Sequence, residues 1–376
     1  MRRIRVLQSF SEPRATSNPY IHQLAASLRA TPGIELRTFS WSEALRGDYD
    51  VFHAHWPDTL LAGNSRLTRA GKRLAVRLLL ARLRRRGIPV VRTRHNAKPH
   101  ETSRTVSAVE AGFERLTVES ILLNGVGTPP PHATVIPHGH YRDWFARHPR
   151  AERVPGRLAF VGLIRPYKGV EDLVAAYREL SADGSGASLT IAGSPRSAEL
   201  AAEITAAAQG DPTIALTFAY VDDVAFVQAV TASSLVVLPY RAMENSGAAL
   251  AALSLDRPVL LPRNAMTESL RTEAGDEWVL LFDGTLTAAA LREALAASAE
   301  ATGSPRFIGR EWGDAGEQHR RVFAAALGGS AVGDSAVGDS AVGDSALGDS
   351  ALGESMPGES APAERAPVIG EKEETA

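Results

Sequence analysis

Short apolar runs alternate along the chain with stretches in which apolar side chains recur every three or four positions. The runs predict strands at 4–10 (IRVLQSF), 34–39 (IELRTF), 50–55 (DVFHAH), 88–93 (IPVVRT) and 133–137 (ATVIP). A second series follows at 157–162 (RLAFVG), 187–193 (ASLTIAG), 214–219 (IALTFA), 234–239 (SLVVLP), 257–262 (RPVLLP) and 277–282 (EWVLLF). Helical spacing fills most of the gaps, as from Asn18 to Arg29, Gly169 to Leu180 and Ser246 to Leu253. Strands alternating with helices predict an α/β fold built on parallel sheets. The polar, Pro-bearing segment HGHYRDWFARHPRAERVPG divides the two series and reads as a linker, giving Rossmann-like domains at 1–148 and 149–305.

From Gly329 the chain repeats a five-residue unit, SAVGD, and ends in Pro-rich and acidic residues. Such a stretch buries too little apolar area to offset an ordering cost of roughly 1–2 kcal/mol per residue, so 328–376 is expected to be a disordered tail. With 376 residues, 44% of them apolar, the rest fills two ordinary cores. No cysteine occurs, which removes disulfides, thiolate metal sites and a cysteine nucleophile and fits a reducing, cytoplasmic setting. The basic start reaches Ser11, Glu12 and Pro13 before any apolar run of signal-peptide length, and no run of about 20 apolar residues follows.

The net charge of −2 conceals an asymmetry. Residues 1–150 carry 24 Lys/Arg and 11 Asp/Glu, and the remainder 17 and 32. The excess is densest at 66–87, RLTRAGKRLAVRLLLARLRRRG, with nine cations, no acid and leucines at helical spacing. An amphipathic cationic helix of this kind is expected to lie on an anionic membrane surface, although an ordinary packed helix with a solvated basic face has the same pattern. Nucleic acid is not the expected partner, since no aromatic platform accompanies the charges.

Ligands of open parallel sheets bind beyond the carboxyl ends of strands, which directs attention to the residues that follow each strand. After RLAFVG come Arg165 and Lys168, two cations suited to a diphosphate, or alternatively two loop residues with no ligand. After SLVVLP comes Glu244-Asn245-Ser246-Gly247-Ala248 and a helix of small residues, whose first amides could hold a phosphate oxygen; Asn245 or Ser246 could equally be a plain N-cap.

These elements carry a family resemblance. The Gly-x-x-Arg-x-x-Lys-Gly turn at 162–169, the strand end Ala192-Gly193 and the Glu-bearing turn at 244 resemble the donor domain of GT-B glycosyltransferases. VIPHGHYRDWF is similar to their hinge, RTRHNAKPH to a first-domain Thr-x-His motif, and PRFIGREWGDAGEQHRRVFAAAL to the terminal helix, here 306–327, that crosses back to the first domain. More narrowly, NPYIHQL, FHAHWPD, RHNAKPH, IPHGHYRDWF, GLIRPYKGV and NSGAALAALSLDRPVL resemble bacterial exopolysaccharide β-mannosyltransferases that use GDP-mannose and a polyprenyl-diphosphate-linked oligosaccharide. The resemblance spans roughly residues 4–327. It implies an acceptor-binding first domain, a nucleotide-sugar-binding second domain and a metal-independent hexosyl transfer, with the protein cytoplasmic and peripheral to the inner membrane face.

It also implies site roles. Arg165, Lys168, Ser246, Gly247 and Ala248 would hold the donor diphosphate, and Glu244 and Asn245 the donor sugar or ribose. His138, Gly139 and Tyr141 would lie at the hinge and cleft, and Asn18 and His55 on the acceptor side. Many retaining relatives carry a second Glu eight positions after the first; here that position is Ala252, which favours inversion. An inverting transfer needs a base, and Asp58 and His95, each following a first-domain strand, are the candidates, with His95 equally suited to contacting donor sugar or acceptor. No pattern separates a guanine from a uracil donor, so a retaining enzyme using a UDP-sugar and a silent nucleotide-sugar-binding protein remain the competing readings. No metal site is expected. Asp48-Tyr49-Asp50 precedes a strand rather than following one, and His53-x-His55 and His138-x-His140 have no recognisable third ligand.

Overall fold

The computed structural model describes residues 2–62, 65–95, 104–241, 243 and 245–330. Its core is two six-stranded sheets in which every neighbouring pair is parallel. The first contains β1 (Ile4–Gln8), β2 (Ile34–Arg37), β3 (Val51–Ala54), β4 (Val90–Arg94), β5 (Thr117–Leu122) and β6 (Ala133–Val135), in the order β2-β1-β3-β4-β5-β6. The second contains β7 (Arg157–Val161), β8 (Ser188–Ala192), β9 (Ile214–Thr217), β10 (Leu235–Val237), β11 (Val259–Pro262) and β12 (Val279–Phe282), in the order β12-β11-β10-β7-β8-β9. The order in which strands are added reverses once in each sheet, between β1 and β3 and between β7 and β10. Loops leaving those strands part around a crevice, and this is where such folds take ligands.

Each of the eleven apolar runs forms a strand. Strands covered on both faces need apolar residues at consecutive positions, and Leu158 to Val161 and Val259 to Leu261 are all buried. β5 is an additional strand that the pattern does not predict, because Thr117, Glu119 and Ser120 interrupt its apolar character.

The helix Pro19–Ala30 begins with Asn18, whose Oδ1 accepts from the Tyr20 amide at 2.9 Å, and has Pro in its first turn. Helix Trp312–Ser330 packs on it and reaches β3, β4 and β5, burying Val322, Phe323 and Ala326. The chain thus returns to the first sheet after completing the second. This helix ends at Ser330 rather than 327, and the remainder of the expected tail lies outside the described residues.

The strap before it is tied to the linker. Arg310 donates to the His138 carbonyl at 2.9 Å and pairs with Glu273 at 2.6 Å, while Trp312 Nε1 donates to the His140 carbonyl at 2.7 Å. Gly139 is where this strap crosses: a Cβ there would overlap the Trp312 indole.

The basic segment is a helix at Arg66–Arg85, capped by Ser65. Val76, Leu79 and Leu83 are buried, whereas Leu67, Leu74 and Leu78 are 84%, 58% and 52% exposed on the opposite face. No described helix is long and apolar enough to cross a membrane. Asp50 and Asp48 are both held by Arg5, which gives that Asp-x-Asp an ion-pairing role.

Candidate active site

The turn after β7 and the loop after β10 converge. The Arg241 amide donates to the Tyr167 carbonyl at 2.8 Å, and its guanidinium reaches the Pro166 carbonyl and Asp172, each at 3.0 Å. Gly169 sits between them with φ +61°, in the left-handed region, and a Cβ there would overlap the Pro239 carbonyl. Only glycine lets the two loops approach this closely.

Beside this junction opens a cavity of about 740 Å³ lined from both sheets. From the second come Leu163, Tyr167, Lys168, Tyr220, Val221, Asp223, Phe226, Tyr240 and the segment Asn245 to Ala248. From the first come Thr16 to Tyr20, Trp56, His95 and Leu123, and the linker supplies His138, Tyr141 and Phe145. Lys168 is pushed down to about 8, chiefly by burial, with Arg165 adding repulsion. Its Nζ lies 5.0 Å from the centre of the Tyr240 ring. Ser246 caps the helix Gly247–Ser254 by accepting from the Ala249 amide at 3.1 Å, and the helix start faces the cavity, where its positive dipole end favours an anion. Lys168 is the one ammonium and Asp223 the one carboxylate among the described lining residues. Asp223 begins the helix Asp223–Ala232 and accepts from Trp144 Nε1 at 2.9 Å through Oδ2.

The opposite wall is aromatic and neutral. His95 stacks on Trp56 with ring centres 3.9 Å apart and a tilt of 20°, and meets Tyr20 edge-on at 5.4 Å. Burial holds His53, His55 and His95 well below the ordinary histidine value, with neighbouring histidines adding repulsion. His138 is pushed down to about 4 by the same cause, and its Nε2 lies 3.3 Å from the Tyr141 hydroxyl. These rings are neutral at pH 7.

Several expected contacts are not made. Arg165 does not line the cavity; its Nη1 donates to the Ile164 and Ser194 carbonyls at 2.7 and 3.1 Å, so its charge acts on Lys168 from behind. Asp58 is exposed on the 3-10 turn Pro57–Leu61 and does not line the cavity either. His55 lies behind the wall, buried. Asn245 lines the cavity, but its amide is occupied: Nδ2 donates to the His95 carbonyl and Oδ1 accepts from Asn124, each at 2.7 Å, joining the two halves. Gly139 packs on Trp312 rather than lining the cleft. Glu244 lies outside the described residues. Lys168, Ser246, Gly247, Ala248, His95, His138, Tyr141 and Asn18 do share the one cavity.

Trp56, Tyr220 and Asp223 were not singled out by sequence; the rule of strand ends applied to β3 and β9 identifies Trp56 and Tyr220, whereas Asp223 reaches the wall at the start of the helix Asp223–Ala232. No described group of three or more His, Asp or Glu side chains is arranged to hold a metal ion.

Residues 155–300 match the family model described as glycosyl transferases group 1. The chain is 40% identical over 331 residues to the GDP-mannose:glycolipid 4-beta-D-mannosyltransferase of Xanthomonas campestris pv. campestris, covering 87% of this chain and 93% of that one. Among solved structures, sucrose-phosphate synthase from Thermosynechococcus elongatus superposes with a TM-score of 0.55 at 16% identity, over 88% of this chain and 98% of its own. Anabaena HepE, solved with UDP and glucose, gives 0.55 at 13%, over 89% and 100%. These two speak to the fold alone. The chain belongs to the GT-B glycosyltransferases, in the family of the GDP-mannose:glycolipid 4-beta-D-mannosyltransferases.

Proposed function

We propose that this glycosyltransferase moves mannose from GDP-mannose to a lipid-linked saccharide in exopolysaccharide synthesis, with inversion and without a metal ion, at the cytoplasmic face of the membrane. The observation that carries the reading is the charge layout among the described residues of the cavity: one ammonium beside a helix start, and one carboxylate elsewhere on the wall. Lys168 and the Gly247 and Ala248 amides suit the diphosphate that departs with the electrons of the anomeric C–O bond. Asp223 suits guanine, whose N1–H and 2-amino group both donate toward one carboxylate. Uracil would turn two carbonyl oxygens on either side of its single N–H toward that charge. The name of the Xanthomonas relative supports the same donor and a β-linked product. A β-mannoside made from an α-linked donor requires inversion, and His95 is the base on the cavity wall: its neutral ring takes the acceptor hydroxyl proton as the oxygen bonds to the anomeric carbon. The exposed leucines of Arg66–Arg85, flanked by Arg66, Arg73, Arg77 and Arg84, support seating on an anionic bilayer.

Steady-state kinetics with GDP-mannose and UDP-mannose, and the product anomer by NMR, test the proposal. The expected result is a β-mannoside, at least about a 100-fold preference for GDP-mannose, and at least about a tenfold loss of that preference in Asp223→Asn, since a charged hydrogen bond contributes ~1.5–3 kcal/mol. An α-linked product, or a preference untouched by the substitution, contradicts it.

A further inference from the structure

Behind His95 lies a second imidazole that the reaction does not touch. His55 follows β3, is buried, and offers both ring nitrogens to neighbours: Nε2 is 3.0 Å from Gln8 Oε1, and Nδ1 is 3.3 Å from His95 Nε2. The directions of these bonds follow from chemistry. A carboxamide oxygen only accepts, so the His55 proton is on Nε2. His55 Nδ1 then presents a lone pair, and the neighbouring His95 Nε2 must be the N–H that donates to it. The opposite tautomer of His55 would set two lone pairs against each other beside Gln8. Fixing the proton of His95 on Nε2 leaves Nδ1 as its basic nitrogen. Gln8 is fully buried on β1, and its Oε1 is the carboxamide atom placed beside His55 Nε2.

The ring of His95 is held on other sides as well. Trp56 stacks on it, and the Asn245 side chain donates from Nδ2 to the His95 backbone carbonyl at 2.7 Å, so a residue preceding the donor-side helix start also holds the histidine's backbone. The other titratable groups around the pair are His53 and His319 toward His55, and His138 and Tyr20 toward His95; burial holds the three histidines neutral and keeps Tyr20 protonated. Among the described residues, the groups acting on the pair are these neutral rings, so the two hydrogen bonds set the tautomer.

We propose that His55 is a positioning residue: anchored by Gln8, it fixes the tautomer and plane of His95 so that Nδ1 is the nitrogen that receives the acceptor hydroxyl proton. This rests on His95 being the base. Groups that orient a functional imidazole through its second nitrogen typically influence rate or affinity by about 10- to 100-fold without touching the reactants.

The test is kinetics of the full chain with GDP-mannose and a glycolipid acceptor, for His95→Ala, His55→Leu, His55→Asn and Gln8→Leu. His95→Ala is expected to lower kcat by at least about 100-fold. His55→Leu lowers kcat by about 10- to 100-fold, while KM for donor and acceptor changes by less than about threefold. His55→Asn, whose Oδ1 can accept the same His95 Nε2–H, recovers at least about fivefold of that loss, as a merely structural role would not. Should His55→Leu fail to fold, Gln8→Leu carries the decision and is expected to lower kcat by about tenfold. A native kcat in His95→Ala overturns the base assignment itself. An inactive His95→Ala alongside a native His55→Leu or Gln8→Leu, or an Asn variant no faster than Leu, overturns only the role of His55.

Discussion

Lys168 shows how an individual side chain is tuned. Burial disfavours its ammonium and Arg165 repels it, bringing it down to about 8. Below that pH the free enzyme carries the charge that attracts a diphosphate, and as pH rises through it the charge is lost. Donor Kd is therefore expected to rise about tenfold from pH 7 to pH 9, measured by calorimetry with GDP, and Lys168→Met should raise Kd at least about tenfold at pH 7 and abolish the pH dependence. Sequence identified Lys168 and Arg165 as a pair, because both are cations after β7. It could not tell that Arg165 turns toward the Ile164 and Ser194 carbonyls, since that depends on the backbone of the turn and on β8 beside it. Asp58 misleads for a similar reason: of the residues after β3, Trp56 lines the cavity, His55 is buried behind it, and Asp58 stands exposed on the 3-10 turn.

Among the elements, central strands such as β3 and β7 were legible because both their faces are covered, which forces continuous apolar runs. β5 was not, because its place is set by pairing with β4 and β6 rather than by its own composition. The helix Arg66–Arg85 was legible as amphipathic, but only the structure separates its two leucine sets. Val76, Leu79 and Leu83 serve the core, and Leu67, Leu74 and Leu78 face outward. Replacing Arg66, Arg73, Arg77 and Arg84 with Gln is expected to reduce co-sedimentation with phosphatidylglycerol vesicles by at least about tenfold, at roughly 1 kcal/mol for each surface-near cation. Equal partitioning of native and variant protein, or equal binding to neutral vesicles, would contradict a role at the bilayer.

The molecule as a whole is joined at its crossing points. The strap from Arg310 to Trp312 and the bond from Asn245 to the His95 carbonyl link what the linear pattern divides into two series. The same junction concentrates buried histidines. His138 and His319 are both pushed down to about 4 by burial, below the value of about 6.5 they take when unfolded. The unfolded chain then binds more protons between those values, so stability is complete above about pH 6.5 and falls as pH drops toward 4. Urea denaturation at pH 7.5 and pH 5 should show a loss of roughly 2 kcal/mol from each of the two; an unchanged midpoint would contradict their neutral burial.

One cavity, walled by both sheets, is expected to hold the donor with its diphosphate between Lys168 and the start of helix Gly247–Ser254. A crystal structure with GDP-mannose bound tests it most directly. Phosphate oxygens are expected within about 3 Å of Lys168 Nζ and the Gly247 or Ala248 amide, with the guanine edge against Asp223. A diphosphate lodged away from both loops, or a base turned from Asp223 with its phosphates elsewhere, would contradict it.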